Sequence, residues 1–317
     1  MLPRLTTEMD NKAPRGSHWT QIAERGGVRG MQTLLAVYRL FGRRVFSLFL
    51  YPVAAYFWLT GAAARRASRG YLQAVRQRAK QLGVTALRTN SFRHLLEFGH
   101  ALLDKGAIWA GAFPPSNIEV EDLEVFSQLK SRGCLFIGSH LGNLEMLRAF
   151  AQTRDFKVNA LVFVRRAPKF NRVLASVNPK AFDGMIEVDS FGMDTVLKLQ
   201  DLIRAGEHIA ILGDRVSVRH QERCVEAPFL GRPAPFPEGP FVLASLLGCP
   251  VYLLFCTRIG PKYRVFLEPF ADPLELPRAN RRTHVEEAAR RYAERLEAHC
   301  LLAPTQWFNF FDFWEQR

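Results

Sequence analysis

The stretch Cys134-Leu135-Phe136-Ile137-Gly138-Ser139-His140-Leu141-Gly142-Asn143-Leu144-Glu145 decides how this chain is read. Cys134 to Ile137 is a short apolar run of the kind that forms a buried strand, and Asn143 to Gln152 has the composition of a starting helix. Gly142 and Asn143 between them are turn and helix-cap residues. A strand that ends on His140 and turns at Gly142 carries the imidazole to its carboxyl end, where open α/β sheets build their sites. On one regular helix, residues five apart diverge by about 140°. His140 and Glu145 can therefore meet only if His140 precedes the helix and Glu145 sits in its first turns.

A histidine beside a carboxylate suits general-base chemistry. With a reference pKa of about 6.5, a neutral imidazole takes a proton from a hydroxyl, and a carboxylate on its other nitrogen fixes the tautomer and stabilises the imidazolium. By itself the pair also fits a structural histidine in a loop. No protein nucleophile accompanies it. Ser139 is adjacent, but Gly138-Ser139-His140 is not a G-x-S-x-G elbow, so the simpler reading activates a hydroxyl of the substrate.

Outward from this segment the chain alternates. Strands are expected at Cys134–Gly138, Val158–Val164, Ile209–Gly213, Val251–Thr257 and Tyr263–Pro269. Helices are expected at Phe92–Leu103, Asn143–Gln152, Asp194–Ala205, Phe241–Leu247 and His284–Leu301. The pattern predicts an α/β fold with a mixed, partly parallel central sheet flanked by helices. A second strand end, Ile211-Leu212-Gly213-Asp214-Arg215, brings a guanidinium to the same edge; its fork suits a phosphate or carboxylate, with Asp214 holding Arg215 in place. A turn with a local ion pair explains it as well. The Gly- and Pro-rich run from Phe229 to Pro240 reads as a shaped loop whose aromatics can line an acyl pocket.

The 317 residues, 48% apolar and 23% charged, are enough for a large core and exclude wholesale disorder. A net charge of +13 favours anionic partners: nucleic acid, anionic lipid, phosphorylated metabolites or an acidic carrier protein. Nucleic-acid binding would need a recognisable module or arginines gathered with aromatics on one face, and neither is present. The five cysteines are scattered, with no zinc-ligand spacing, and read as free thiols; no metal site is expected. G-x-G-x-x-G, the P-loop pattern and H-E-x-x-H are all missing from the sequence, so nucleotide-phosphate loops and zincin chemistry have no support.

Residues 1–30 read as a loosely ordered arm without an apolar signal core. Val45 to Ala64 then runs for twenty residues without a charge, between Arg43-Arg44 and Arg65-Arg66. As one helix it would be roughly 30 Å long, about the thickness of a bilayer's hydrocarbon core. Basic flanks at both ends and Pro52 in the middle favour a bent helix dipping into one leaflet; a full span and a soluble core helix are the other readings. The following basic helix, Arg65 to Lys80, would attract anionic lipid. The expected organisation is thus an arm (1–30), a hydrophobic and basic membrane-associating segment (31–84) and a catalytic domain (85–317).

In order, these blocks resemble the lysophospholipid acyltransferase superfamily, most closely its bacterial lipid A biosynthesis acyltransferase branch. His140-Leu-Gly-Asn-Leu-Glu145 is similar to the superfamily's motif of His, four residues, then Asp or Glu. Val164-Arg165-Arg166 with Asn171, Gly213-Asp214-Arg215, Phe229 to Ala244 and Cys249-Pro250-Val251 are similar to later blocks. The resemblance covers about residues 131–269. The tail, Pro304-Thr305-Gln306-Trp307-Phe308-Asn309-Phe310-Phe311, resembles the branch's ending only in part. What the resemblance implies is a membrane-associated O-acyltransferase that moves a fatty acyl group from an acyl carrier protein or coenzyme A thioester to a hydroxyl of a lipid or glycolipid. His140 would be the general base oriented by Glu145; Leu141, Gly142, Asn143, Arg165, Asp214 and Arg215 would bind substrate. No cofactor beyond the acyl-thioester co-substrate is implied, and the implied location is the cytoplasmic face of the inner membrane. A serine or thiol hydrolase of the same fold class is the alternative, with a nucleic-acid-binding protein behind it.

Overall fold

The computed structural model of the chain describes residues 45, 47–85, 89–109, 111, 113–129, 132–146, 157–162, 184–188, 192–216 and 222–315. Near the amino terminus, α1 (Ser47–Thr60) and α2 (Ala62–Gln81) meet at 96°. They are followed by α3 (Ser91–Trp109), β1 (Ile118–Val120), α4 (Leu123–Gln128), β2 (Leu135–Gly138), β3 (Val158–Val162) and β4 (Met185–Glu187). Then come α5 (Met193–Arg204), β5 (His208–Leu212), β6 (Cys224–Phe229), β7 (Arg232–Pro237), α6 (Gly239–Leu247), β8 (Val251–Ile259), β9 (Lys262–Ala271) and α7 (Arg281–Leu302).

Seven strands form one sheet in the order β1-β9-β8-β2-β5-β3-β4, and β6 pairs with β7 outside it. Strand β2 is central. It runs parallel to β5 on one side, with Leu135 opposite Ile209 and Gly138 opposite Leu212, and parallel to β8 on the other. Only the β8–β9 pair in this sheet is antiparallel. All four residues of β2 are buried, as a strand covered by helices on both faces requires, which is why its sequence is an unbroken apolar run. By contrast β9 alternates buried and part-exposed residues, the pattern of a strand with one wetter face.

The principal core gathers β2, β5, β8, the β6–β7 hairpin and the inner face of α7, whose Val285, Ala288, Ala289, Tyr292, Leu296 and Cys300 recur at helical spacing. Tyr292 donates a hydrogen bond from its hydroxyl to the Gly138 carbonyl at 2.7 Å and so pins α7 under the end of β2. Tyr71, Leu72, Ala74 and Val75 of α2 belong to this same core. The segment boundary expected at residue 85 falls between α2 and α3, and the core runs across it.

The expected elements that fall on described residues are present with ends shifted by a few residues, and two readings change. The helix expected over Asn143–Gln152 falls mostly outside the described residues, which reach only Met146 there, and the arm at 1–30 lies outside them as well. The Phe229–Pro240 run is not a loop lining a pocket. It is largely a β-hairpin turning at Leu230-Gly231, and Phe229, Phe236 and Phe241 are wholly buried in the core. The charge-free Val45–Ala64 stretch is not one helix, and its break is at Gly61 rather than Pro52. A β-carbon at Gly61 would come within 2.6 Å of the Phe57 carbonyl oxygen, so glycine permits the corner.

At fourteen residues α1 is about 20 Å long, short of a hydrocarbon core of about 30 Å. No single described helix is long and apolar enough to cross a membrane; the bent α1–α2 pair passes that test only when taken together. One side of α1 packs Leu50 and Ala54 against Leu96 and Ala107 of α3, while Leu48, Phe49, Tyr51, Tyr56 and Leu59 remain exposed.

Candidate active site

His140 lies two residues beyond β2 and Asp214 two residues beyond β5, so two neighbouring parallel strands deliver them to one edge of the sheet. The His140 Nδ1–H donates to Asp214 Oδ1 at 2.7 Å, and the His140 backbone N–H donates to Asp214 Oδ2 at 3.0 Å. The Asp214 side chain is fully buried, whereas about a quarter (26%) of the His140 side chain is exposed. With Nδ1 occupied, the imidazole presents Nε2 as its free lone pair, the arrangement a general base needs.

The surroundings set the charge states of this pair. Burial and the nearby Arg215 guanidinium lower the His140 pKa below the ordinary 6.5, with Asp214 opposing them, so the ring is neutral at physiological pH. Burial would raise the Asp214 pKa, but the charge and hydrogen bonds of His140 outweigh it and hold the carboxyl at about 2. Asp214 is therefore ionised wherever the His140 ring is neutral.

The turn after His140 is fastened on several sides. Gly142 has a φ of 66° and donates its N–H to the Gln306 carbonyl at 2.7 Å. Asn143 donates its backbone N–H to the Cys256 carbonyl at 2.9 Å and its side-chain amide to the Ala101 carbonyl at 3.1 Å. A β-carbon at Gly142 would fall 1.7 Å from the Cys256 oxygen, inside the backbone of β8. Gly142→Ala is therefore expected to lower stability by about 3 kcal/mol or more, since both the left-handed φ and the close approach exclude a side chain. Denaturant unfolding of the two proteins reads this directly.

Of the expected site residues, the structure brings His140 and Asp214 together and changes the partners of others. Asp214 holds the His140 ring and backbone, and its charge also interacts with that of Arg215. The carboxylate on Nδ1 is thus Asp214, not the expected Glu145, which lies 3.3 Å from Lys105 Nζ. Leu141 and Asn143 are buried, and Leu141 bridges to Trp307. Arg215 donates from Nε to Asn309 Oδ1 at 2.7 Å and from Nη2 to the Phe308 carbonyl at 3.1 Å, with its guanidinium 5.6 Å from the Phe311 ring. Arg165 lies outside the described residues.

The carboxyl-terminal tail, read from the sequence only as a partial match to the branch's ending, also reaches the site. Trp307 Nε1–H donates to Asp214 Oδ2 at 2.9 Å, and Asn309 Nδ2 donates to the same oxygen at 3.1 Å. Phe308 N–H donates to the His140 carbonyl at 2.8 Å. The available signal was a polar Asn309 inside an otherwise aromatic run, because a buried amide demands partners. Among the described residues no cluster of His, Cys, Asp and Glu could hold a metal ion. A cavity of about 540 Å³ between β9 and α7 has Glu268, Arg291 and Arg295 in its wall and includes none of these site residues.

A buried aspartate fixing a mostly buried histidine at the carboxyl end of a central parallel strand is an arrangement that can serve general-base chemistry on an α/β scaffold. The sequence pattern of the bacterial lipid A biosynthesis acyltransferase family matches residues 97–316, more than half of the chain, and the protein belongs to that family. It is accordingly an acyltransferase, with an acyl donor and a lipid acceptor as its substrates. No curated protein matches the chain.

Proposed function

We propose that the protein is a membrane-associated O-acyltransferase in which His140 deprotonates a hydroxyl of a lipid or glycolipid. The observation that carries this reading is the 2.7 Å bond between His140 Nδ1 and Asp214, which leaves Nε2 as the acceptor. The hydroxyl proton passes to Nε2 as the oxygen attacks the carbonyl of an acyl thioester. The tetrahedral species then collapses, the carbon–sulfur bond breaks, and the imidazolium returns the proton to the departing thiolate. Asp214, ionised throughout, stabilises the imidazolium between the two steps. Glu145 keeps a supporting part through the motif spacing, and Arg165 a part in binding the acceptor. Arg215, though fastened to the tail, adds positive charge beside His140 and so suits an anionic acceptor. Leu141, Gly142 and Asn143 shape the turn against which substrate would lie.

The donor is an acyl thioester of acyl carrier protein or coenzyme A, both anionic and suited to a chain of net charge +13. No further cofactor is required by this chemistry. The exposed apolar side chains of α1, with exposed Arg66, Arg69, Arg76 and Lys80 on α2, support attachment to anionic lipid at the cytoplasmic face of the inner membrane.

The test is a pH profile of kcat/KM for acyl transfer to a lipid hydroxyl by the purified protein. The base works only when neutral, so activity should fall as pH drops through the His140 pKa, with the acid limb centred below 6.5. An acid limb centred above 6.5 would contradict the environment assigned to this ring.

A further inference from the structure

Asp214 Oδ2 accepts three hydrogen bonds, from the His140 backbone, Trp307 and Asn309, whereas Oδ1 accepts one, from the His140 ring. Two of the three donors on Oδ2 come from a tail more than ninety residues downstream. That tail is itself held from several directions. His94 Nε2 on α3 bonds the Trp307 carbonyl at 2.9 Å, while Ser68 on α2 bonds His94 Nδ1 at 2.9 Å. Gln306 exchanges two hydrogen bonds with the backbone of Arg258 at the end of β8, each 2.8 Å. The Trp307 ring lies among Tyr71, Phe229 and Phe313, with centroids 4.6 to 5.2 Å away. Asn309 carries a carboxamide, which donates to Asp214 while accepting from Arg215 through a single planar group.

Packing alone does not require this arrangement. A buried tail could satisfy its polar atoms on the backbone, as Gln306 does. Instead both polar side chains that follow it converge on the carboxylate that orients the base. Four donors on two oxygens leave the carboxylate little freedom to rotate, which fixes the direction of Oδ1 and hence the plane of the imidazole.

We infer that Trp307 and Asn309 are positioning residues for acyl transfer: the carboxyl-terminal tail sets the carboxylate of Asp214, and through it the His140 ring. This deepens the reading of His140 as the base and rests on it. Neither residue touches the reacting atoms. Removing either donor leaves more of the carboxylate's charge directed at the ring, which favours the imidazolium and moves the acid limb of the rate profile upward.

The experiment uses the full-length protein with Trp307→Phe, Asn309→Leu and, as the reference for the underlying reading, His140→Ala. Each is checked for folding by circular dichroism, and folded variants are assayed for kcat, KM for the acyl thioester and the pH profile. Either tail variant is expected to lower kcat about tenfold to a hundredfold, with KM changed less than about threefold and the acid limb moved to higher pH. Trp307→Phe keeps an aromatic ring in the packed cluster, so it carries the test if Asn309→Leu does not fold. A fall in kcat with an unmoved acid limb, or an unchanged kcat in either folded variant, would overturn the inference. If His140→Ala retains activity, the reading of the base itself fails. If His140→Ala is inactive while the tail variants match the parent protein, only the positioning role fails.

Discussion

Replacing His140 by alanine is expected to lower acyl transfer by about 10² to 10⁴-fold while the protein remains folded. The substitution deletes the only ring whose Nδ1 is held by Asp214, and no other described histidine has a hydrogen bond to that carboxylate. Folding should survive, because about a quarter (26%) of the side chain is exposed and the backbone bonds of residue 140 to Asp214 and Phe308 do not depend on it. Asp214 would lose one hydrogen bond of four and keep its tail donors. The measurement is initial-rate acyl transfer by mass spectrometry, with thermal unfolding of the same preparations as the control. More than a few per cent residual activity would remove His140 from the role of base.

The second large effect is expected at Asp214. Asp214→Asn preserves the shape of the side chain but replaces an anion with an amide, in a pocket whose donors all face an acceptor. At least one Trp307, Asn309 or His140 donor then meets an NH₂ group, and the imidazolium loses its counter-charge. A loss of about 10² to 10⁴-fold in kcat is expected, with a smaller change in KM. Glu145→Gln is the informative companion. Because Nδ1 already bonds Asp214, Asp214→Asn should cost more activity than Glu145→Gln, and the reverse order would return the orienting role to Glu145.

These expectations also show which parts of the molecule were legible in the sequence. Strand β2 could be read because a strand buried on both faces has no polar positions to blur it. The glycine at 142 could be read as a turn, although the reason it must be glycine, the backbone of β8 at its α-carbon, belongs to tertiary structure. The placement of His140 at a strand's carboxyl end followed from those two features.

The partner of that histidine did not. A motif of five-residue spacing points to the nearest carboxylate in sequence, Glu145, whereas parallel pairing of β2 with β5 brings up Asp214 from 74 residues away. Sequence distance carries no information about which strands become neighbours. The same limit hid the tail's place beside the site. Trp307 and Asn309 reach the site because α7 returns the chain beneath β2, a contact specified by Tyr292 and Gly138 rather than by any local pattern. The Phe229–Pro240 hairpin was obscured differently. Its prolines suggest a loop, yet an isolated two-stranded ribbon tolerates them, and its aromatic side chains fill the core.

The central claim is direct transfer from thioester to hydroxyl without an acyl-enzyme. The serine beside His140 and the buried thiols are poorly suited as nucleophiles. Ser139 is buried and accepts a hydrogen bond from the Leu141 N–H at 3.3 Å, and burial pushes the thiols of Cys134, Cys249, Cys256 and Cys300 up from their ordinary range. The most direct measurement is intact-protein mass spectrometry during a single turnover, with the acyl thioester supplied first alone and then with a hydroxyl-bearing lipid acceptor. The account predicts an unmodified protein mass at every time point and an acylated lipid that appears only when the acceptor is present. A transient protein species heavier by one acyl group, lost as the acylated lipid or free fatty acid forms, would contradict it.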